Sequence, residues 1–165
     1  MCTAQEMNKW AKNLSTRLMA RNMKIATVES CTGGSVAALF TDIPGSSEWF
    51  ECGYVTYSNI SKTEMVGVRS GTITAFGAVS EQVASEMATG GVEYSLANCA
   101  ISITGVAGPD GGSEAKPVGM VCFGWAGFSD LPHTKVKYFH GDRQAVRTQS
   151  VCFAVQEAAK LLKIE

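Results

Sequence analysis

Ser30 lies in the run Val28-Glu29-Ser30-Cys31-Thr32-Gly33-Gly34, between a short apolar segment and a stretch of small residues. A serine exposed on such a tight turn is a candidate nucleophile. Gly33 and Gly34 let backbone N–H groups approach a substrate closely. With Thr32 they stand where a helix begins, and its partial positive charge favours an oxyanion. Two competing readings apply to the same residues. Ser30 or Thr32 is an ordinary helix N-cap, and Cys31 is either a rival nucleophile or an inert buried thiol. Tyr57 and Lys62 follow, five residues apart. A lysine acts as a base for serine only when burial or a neighbouring cation lowers its pKa. A tyrosine can relay or orient that proton. Taken singly, a helix lysine is more often solvated.

Thr104, Gly105, Ala107 and Gly108 open a glycine-rich stretch that runs to Gly119 and holds five glycines from Gly105 onward. It has neither the spacing of a phosphate-binding P-loop nor that of a dinucleotide fold. It also runs into a strand, where both of those motifs run into a helix. Close backbone approach to a ligand is the functional reading, and a long connection the bland one. Arg143 and Arg147 are four apart, so they share one helix face. Paired guanidinium groups suit a phosphate, against the alternative of a solvated face bridged to Asp142. The two histidines, His133 and His140, leave a Ser-His-Asp arrangement open without pointing to one.

The elements that must position these groups alternate. Apolar periodicity predicts a helix over 4–22, a strand over 24–28 and a small-residue helix over 35–41. A loop over 43–47 is expected next, then a strand over 49–57 and a short helix over 59–65 capped by Ser58 or Asn59. Ser80 opens a helix to about residue 96, and strands are expected over 100–104, 118–127 and 134–140. Asp142 caps a last helix to about residue 162. Strands without polar alternation, set between helices, predict an α/β sandwich with helices on both faces.

At 165 residues the chain has room for one domain, expected to span 1–165. Apolar residues make up 45% and charged residues 18%, which excludes a disordered chain. A net charge of −1 supplies no field for nucleic acid or an anionic membrane. No apolar run approaches the roughly 20 residues of a membrane span. The first residues lack the pattern of a signal peptide. The six cysteines, Cys2, Cys31, Cys52, Cys99, Cys122 and Cys152, form no Cys-x-x-Cys pair. They are expected to be reduced, mostly buried thiols in a cytoplasmic protein, without zinc-ligand spacing.

In combination, these segments resemble the CinA C-terminal domain family. The resemblance rests on Val28 to Gly34, on Thr56-Tyr57-Ser58-Asn59 with Lys62, and on Gly77-Ala78-Val79-Ser80. It extends to Gly105 to Gly112 with Lys116-Pro117-Val118-Gly119, and to Gly141-Asp142-Arg143 with Arg147. The family order is kept over nearly the whole chain. Larger members carry a further N-terminal domain, so this chain resembles the single-domain form. The resemblance implies a three-layer α/β/α sandwich whose mixed five-stranded sheet has one antiparallel strand. It implies hydrolysis of the carboxamide of nicotinamide mononucleotide, a step in pyridine-nucleotide recycling, with Ser30, Tyr57 and Lys62 as the catalytic set. Thr32, Gly33, Gly34, Thr104, Gly105, Ala107, Gly108, Arg143 and Arg147 are the expected substrate-binding residues. No cofactor or metal is implied, because the serine supplies the nucleophile. The expected partner is a small-molecule nucleotide, with no nucleic acid or membrane, and a homo-oligomer, a dimer by preference, is the expected assembly. A non-enzymatic partner-binding module in competence or DNA-damage responses is the alternative.

Overall fold

The computed structural model describes residues 2–162. Helix α1 (Ala4–Ala20) starts at a capping box: the Glu6 N–H donates to Thr3 Oγ1, and the Glu6 carboxylate accepts from the Thr3 N–H. Strand β1 (Ile25–Glu29) is buried along its whole length and leads into α2 (Ser35–Thr41) and β2 (Phe50–Val55). Helices α3 (Asn59–Val66), α4 (Ser70–Phe76) and α5 (Glu81–Glu93) precede β3 (Cys99–Gly105). Strands β4 (Met120–Ala126) and β5 (His133–Tyr138) and helix α6 (Arg143–Leu161) complete the order.

The five strands stand in the order β2-β1-β3-β4-β5. β1 runs parallel to both β2 and β3, while β4 is antiparallel to β3 and β5. The sheet is therefore mixed, with β4 the one reversed strand, as expected. Alternate side chains leave the sheet on opposite faces. Ile25, Ile101, Ile103, Val121, Phe123 and Trp125 enter the main core with residues of α1, α2 and α6. Val28 faces the other way, into a smaller cluster with Val66, Val83 and Met87. Helix α5 needs glycine to pack there, because a Cβ on Gly90 would lie 1.8 Å from the Val66 carbonyl oxygen.

The chain leaves β1 toward β2 through α2, then returns past it to β3 through α5. The carboxyl ends of β1, β2 and β3 thus meet where the connections diverge, the usual place for a ligand crevice in an open α/β sheet. Ser30, Tyr57 and Thr104 all come from these strand ends.

Two expectations are corrected, and one unassigned segment is filled. Residues 70–76, which carry no strong apolar period, form α4, ordered by packing: Thr72 and Arg69 both bond the Glu86 carboxylate of α5. The loop expected over 43–47 runs into a 3₁₀ turn over Ser46–Glu48. The cysteines are also not all free. Cys2 and Cys152 form a disulfide between the chain ahead of α1 and the middle of α6. Their separation of 150 residues hid the pairing from any spacing rule. Cys31, Cys52, Cys99 and Cys122 remain thiols, and all but Cys52 are buried.

Candidate active site

Ser30 follows β1 and closes a turn in which the Gly33 N–H donates to the Ser30 carbonyl at 3.0 Å. Gly33 and Gly34 have φ of +60° and +100°, so glycine lets the chain turn directly into α2. Ser30 is not exposed as expected: only 8% of its surface is open. Neither Ser30 nor Thr32 caps α2. Glu29, buried at the end of β1, sends its carboxylate under the helix instead. It accepts from the Val36 and Ala37 N–H groups at 2.9 and 3.1 Å and from the Thr32 hydroxyl at 2.7 Å. An internal carboxylate therefore occupies the positive end of α2. That end is not free to hold a substrate anion or to lower the pKa of a lysine.

Ser58 caps α3, accepting from the Ser61 N–H. This start places Lys62 one turn into the helix, pointing back beneath the end of β2. Lys62 is 1% exposed, so it is no solvated helix lysine. Its Nζ lies 3.1 Å from Ser30 Oγ, 2.8 Å from the Thr56 carbonyl oxygen and 3.2 Å from the Tyr57 carbonyl oxygen. Burial lowers its pKa to about 8, with a small opposing effect from Cys31. A neutral amine there has two hydrogens for the two carbonyls and one lone pair left for the Ser30 hydroxyl. Cys31 lines the same cavity, but burial raises its thiol to about 11, which keeps it protonated near neutral pH.

The cavity over Ser30 measures about 250 Å³ and is lined by Cys31, Tyr57, Asn59, Lys62, Ala78, Val79, Thr104, Gly105, Ala107 and Arg143 as well. The tyrosine meets Lys62 only through its main chain. Its ring is exposed, and its hydroxyl lies 3.4 Å from an Arg143 guanidinium nitrogen. The other Arg143 nitrogen donates to the Gly108 carbonyl at 2.8 Å. Gly105 and Ala107 reach the cavity, while Gly108 contributes this carbonyl from behind. The Thr104 hydroxyl is turned to the Ala78 carbonyl at 2.9 Å. Thr32, Gly33 and Gly34 do not line the cavity, and Arg147 lies outside it, bonded to main-chain carbonyls of the Ser30 turn.

Sequence gives Asn59, Ala78 and Val79 no site role, although each stands in a motif that carries the family resemblance and Asn59 is also a candidate helix cap. Residues 78–79 are held at the cavity by bonds from distant segments: Thr104 at the end of β3 bonds the Ala78 carbonyl, and Lys116 in the following loop bonds those of Phe76 and Val79. Among the described residues, no group of three His, Cys, Asp or Glu side chains could hold a metal ion.

The CinA C-terminal domain profile matches residues 7–162. The chain is 49% identical over 154 residues to nicotinamide-nucleotide amidohydrolase PncC of Escherichia coli strain K12, covering 93% of each chain. It is 46% identical over 151 residues to the protein of the same name from Pseudomonas putida, covering 92% of this chain and 94% of that one. The crystal structure of competence/damage inducible protein CihA from Agrobacterium tumefaciens superposes with a TM-score of 0.90 at 39% identity, covering 96% of each chain. By sequence over nearly its whole length, and by fold, this chain belongs to the CinA C-terminal domain family.

Proposed function

We propose that this chain is a nicotinamide-nucleotide amidase, converting nicotinamide mononucleotide and water to nicotinate mononucleotide and ammonia in pyridine-nucleotide recycling. The observation that carries the reading is the buried Lys62 amine, held by two carbonyls with its remaining direction on Ser30 Oγ at 3.1 Å. A lysine with pKa near 8 is in part neutral at physiological pH, so it can take the hydroxyl proton as Ser30 attacks the amide carbon. The tetrahedral intermediate collapses with cleavage of the C–N bond, and Lys62 returns the proton to the leaving ammonia. Water, activated by the same amine, then hydrolyses the acyl ester and frees Ser30. Tyr57 serves this set through its carbonyl, which orients Lys62. The Gly33 N–H is already bonded and Thr32 does not line the cavity, whereas Cys31 does, so the Cys31 N–H is the donor we assign to the oxyanion. The substrate comes from the names of the related PncC proteins. The reaction needs no metal or cofactor, and we assign it to the cytoplasm. Purified protein incubated with nicotinamide mononucleotide should release ammonia and nicotinate mononucleotide in equal amounts. A partner-binding module would release neither.

Two results follow from the charges at the site. First, kcat/KM should rise with pH through a midpoint near 8. Burial lowers the Lys62 pKa, so the competent neutral form is present above that value and is lost as pH falls below it. A profile measured between about pH 6 and 10 that is flat, or that falls through 8, would remove Lys62 as the base. Second, Arg143 presents its guanidinium both to the Ser30 cavity and to an adjoining cavity that shares Ala107. We assign it to the nucleotide phosphate. Arg143→Met should raise KM by about tenfold or more while kcat changes little, the pattern of lost uniform binding.

A further inference from the structure

Arg147 sits one turn beyond Arg143 on α6, yet its guanidinium is committed elsewhere. Nε donates to the Cys31 carbonyl at 3.1 Å, and one terminal nitrogen reaches the Thr32 carbonyl at 3.3 Å and Ser35 Oγ at 3.5 Å. Gly33 packs beside this guanidinium, a Cβ there lying at an ordinary contact distance of 3.7 Å, so it is the φ of +60° and not space that calls for glycine. Arg147 does not line the cavity that holds Ser30; it borders the adjoining one with Arg143, but its guanidinium hydrogen-bonds the Ser30 turn and Ser35. From these contacts we infer that Arg147 is a positioning residue for the oxyanion donor, the Cys31 N–H, and not a ligand of the substrate phosphate.

The physical route is short. The peptide bonds of this turn are trans, the single cis bond among the described residues being Gly108–Pro109. A planar trans peptide directs its N–H opposite to its C=O. Holding the Cys31 carbonyl therefore directs the Thr32 N–H away from Arg147, toward the other side of the turn. Holding the Thr32 carbonyl likewise directs the Gly33 N–H onto the Ser30 carbonyl, and that carbonyl shares its trans peptide with the Cys31 N–H, which is thereby aimed to the opposite side, where Cys31 lines the cavity. A cation on a carbonyl also polarises the amide it belongs to, making its N–H a stronger donor. The same α6 face thus divides its work: Arg143 meets the Ser30 cavity, and Arg147 braces the strand-end turn.

This inference rests on the serine amidase reading, and its test separates the two. Arg147→Met should lower kcat by about a hundredfold, the scale of an impaired oxyanion donor. KM should stay within about threefold, unlike the result expected for Arg143→Met. Arg147→Lys, which retains a cation able to bond a carbonyl, should recover part of the lost kcat even if Arg147→Met folds poorly. Amide hydrogen exchange over residues 31–34 should accelerate in Arg147→Met without matching acceleration in β3. A raised KM with kcat retained would make Arg147 a phosphate ligand and overturn the proposal. If the unmodified protein releases no ammonia from the nucleotide, the function above fails. Exchange then still decides this inference, and unchanged protection at 31–34 overturns it.

Discussion

Ser30→Ala should abolish ammonia release while the protein still folds. The loss should exceed about a thousandfold in kcat, because removal of a covalent nucleophile leaves only the contribution of binding and of the oxyanion donor. The substitution removes one hydroxyl whose partners are the Lys62 amine and, at 3.5 Å, the Tyr57 carbonyl. Lys62 keeps its two carbonyl acceptors, so no buried charge is left without a partner. The melting temperature should therefore move by only a few degrees. Turnover and melting need to be read on the same preparation, so that inactivity is separated from unfolding. Cys31→Ala supplies the control. With its thiol raised to about 11 by burial, Cys31 has almost no thiolate near neutral pH, and its loss should leave most of the activity. An active Ser30→Ala enzyme, or an inactive but folded Cys31→Ala enzyme, would move the nucleophile.

Lys62→Met and Lys62→Arg should both collapse turnover, by about a thousandfold or more, the upper part of the range for a positioned base. The pair separates charge from proton transfer. Methionine keeps much of the lysine volume in a site that is 1% exposed, but it has no lone pair to receive the Ser30 proton. Arginine keeps the positive charge and can still donate to the Thr56 and Tyr57 carbonyls, yet it stays protonated throughout the working pH range. If Lys62 only held a substrate anion, Lys62→Arg would retain kcat and chiefly raise KM. Turnover within about tenfold of the parent enzyme, a difference of roughly 1.4 kcal/mol in the barrier, would remove the general-base role. Because an arginine at so confined a position can disturb the fold, the methionine variant carries the control. It no longer buries a charge, so its melting temperature should become less sensitive to pH between about 8 and the ordinary lysine value of about 10.4. In the parent, the unfolded chain binds the Lys62 proton more tightly than the native state across that window. Its contribution to stability therefore rises with pH there, and the variant lacks that rise.

The sequence by itself determined the parts of this protein that local chemistry controls. Apolar strands, Ser58 and Asp142 as caps, and the glycines after Ser30 reappear as β1 to β5, α3, α6 and the entry to α2. These signals act over a few residues: a cap bonds an N–H two or three positions on, and a left-handed φ belongs to one residue. The order of motifs identified the family for the same reason. What the residues do at the site depends on groups far apart in the chain, and only the tertiary structure decided it. Taken singly, Lys62 is more readily a solvated helix lysine; Ser30, 32 residues away, and the carbonyls just after β2 close around it. Burial then lowered its pKa, and burial is a property of the packed layers, not of the tetrapeptide around a lysine. Glu29 has no role of its own in the sequence around Ser30, but under α2 it takes the positive helix end expected to favour the oxyanion. Arg143 and Arg147 share a helix face and a charge, and they diverge because one meets Gly108 and Tyr57 while the other meets the carbonyls of Cys31 and Thr32. Periodicity places such side chains on a face. Which acceptor a long cationic side chain finds depends on the loops that the sheet brings beside it.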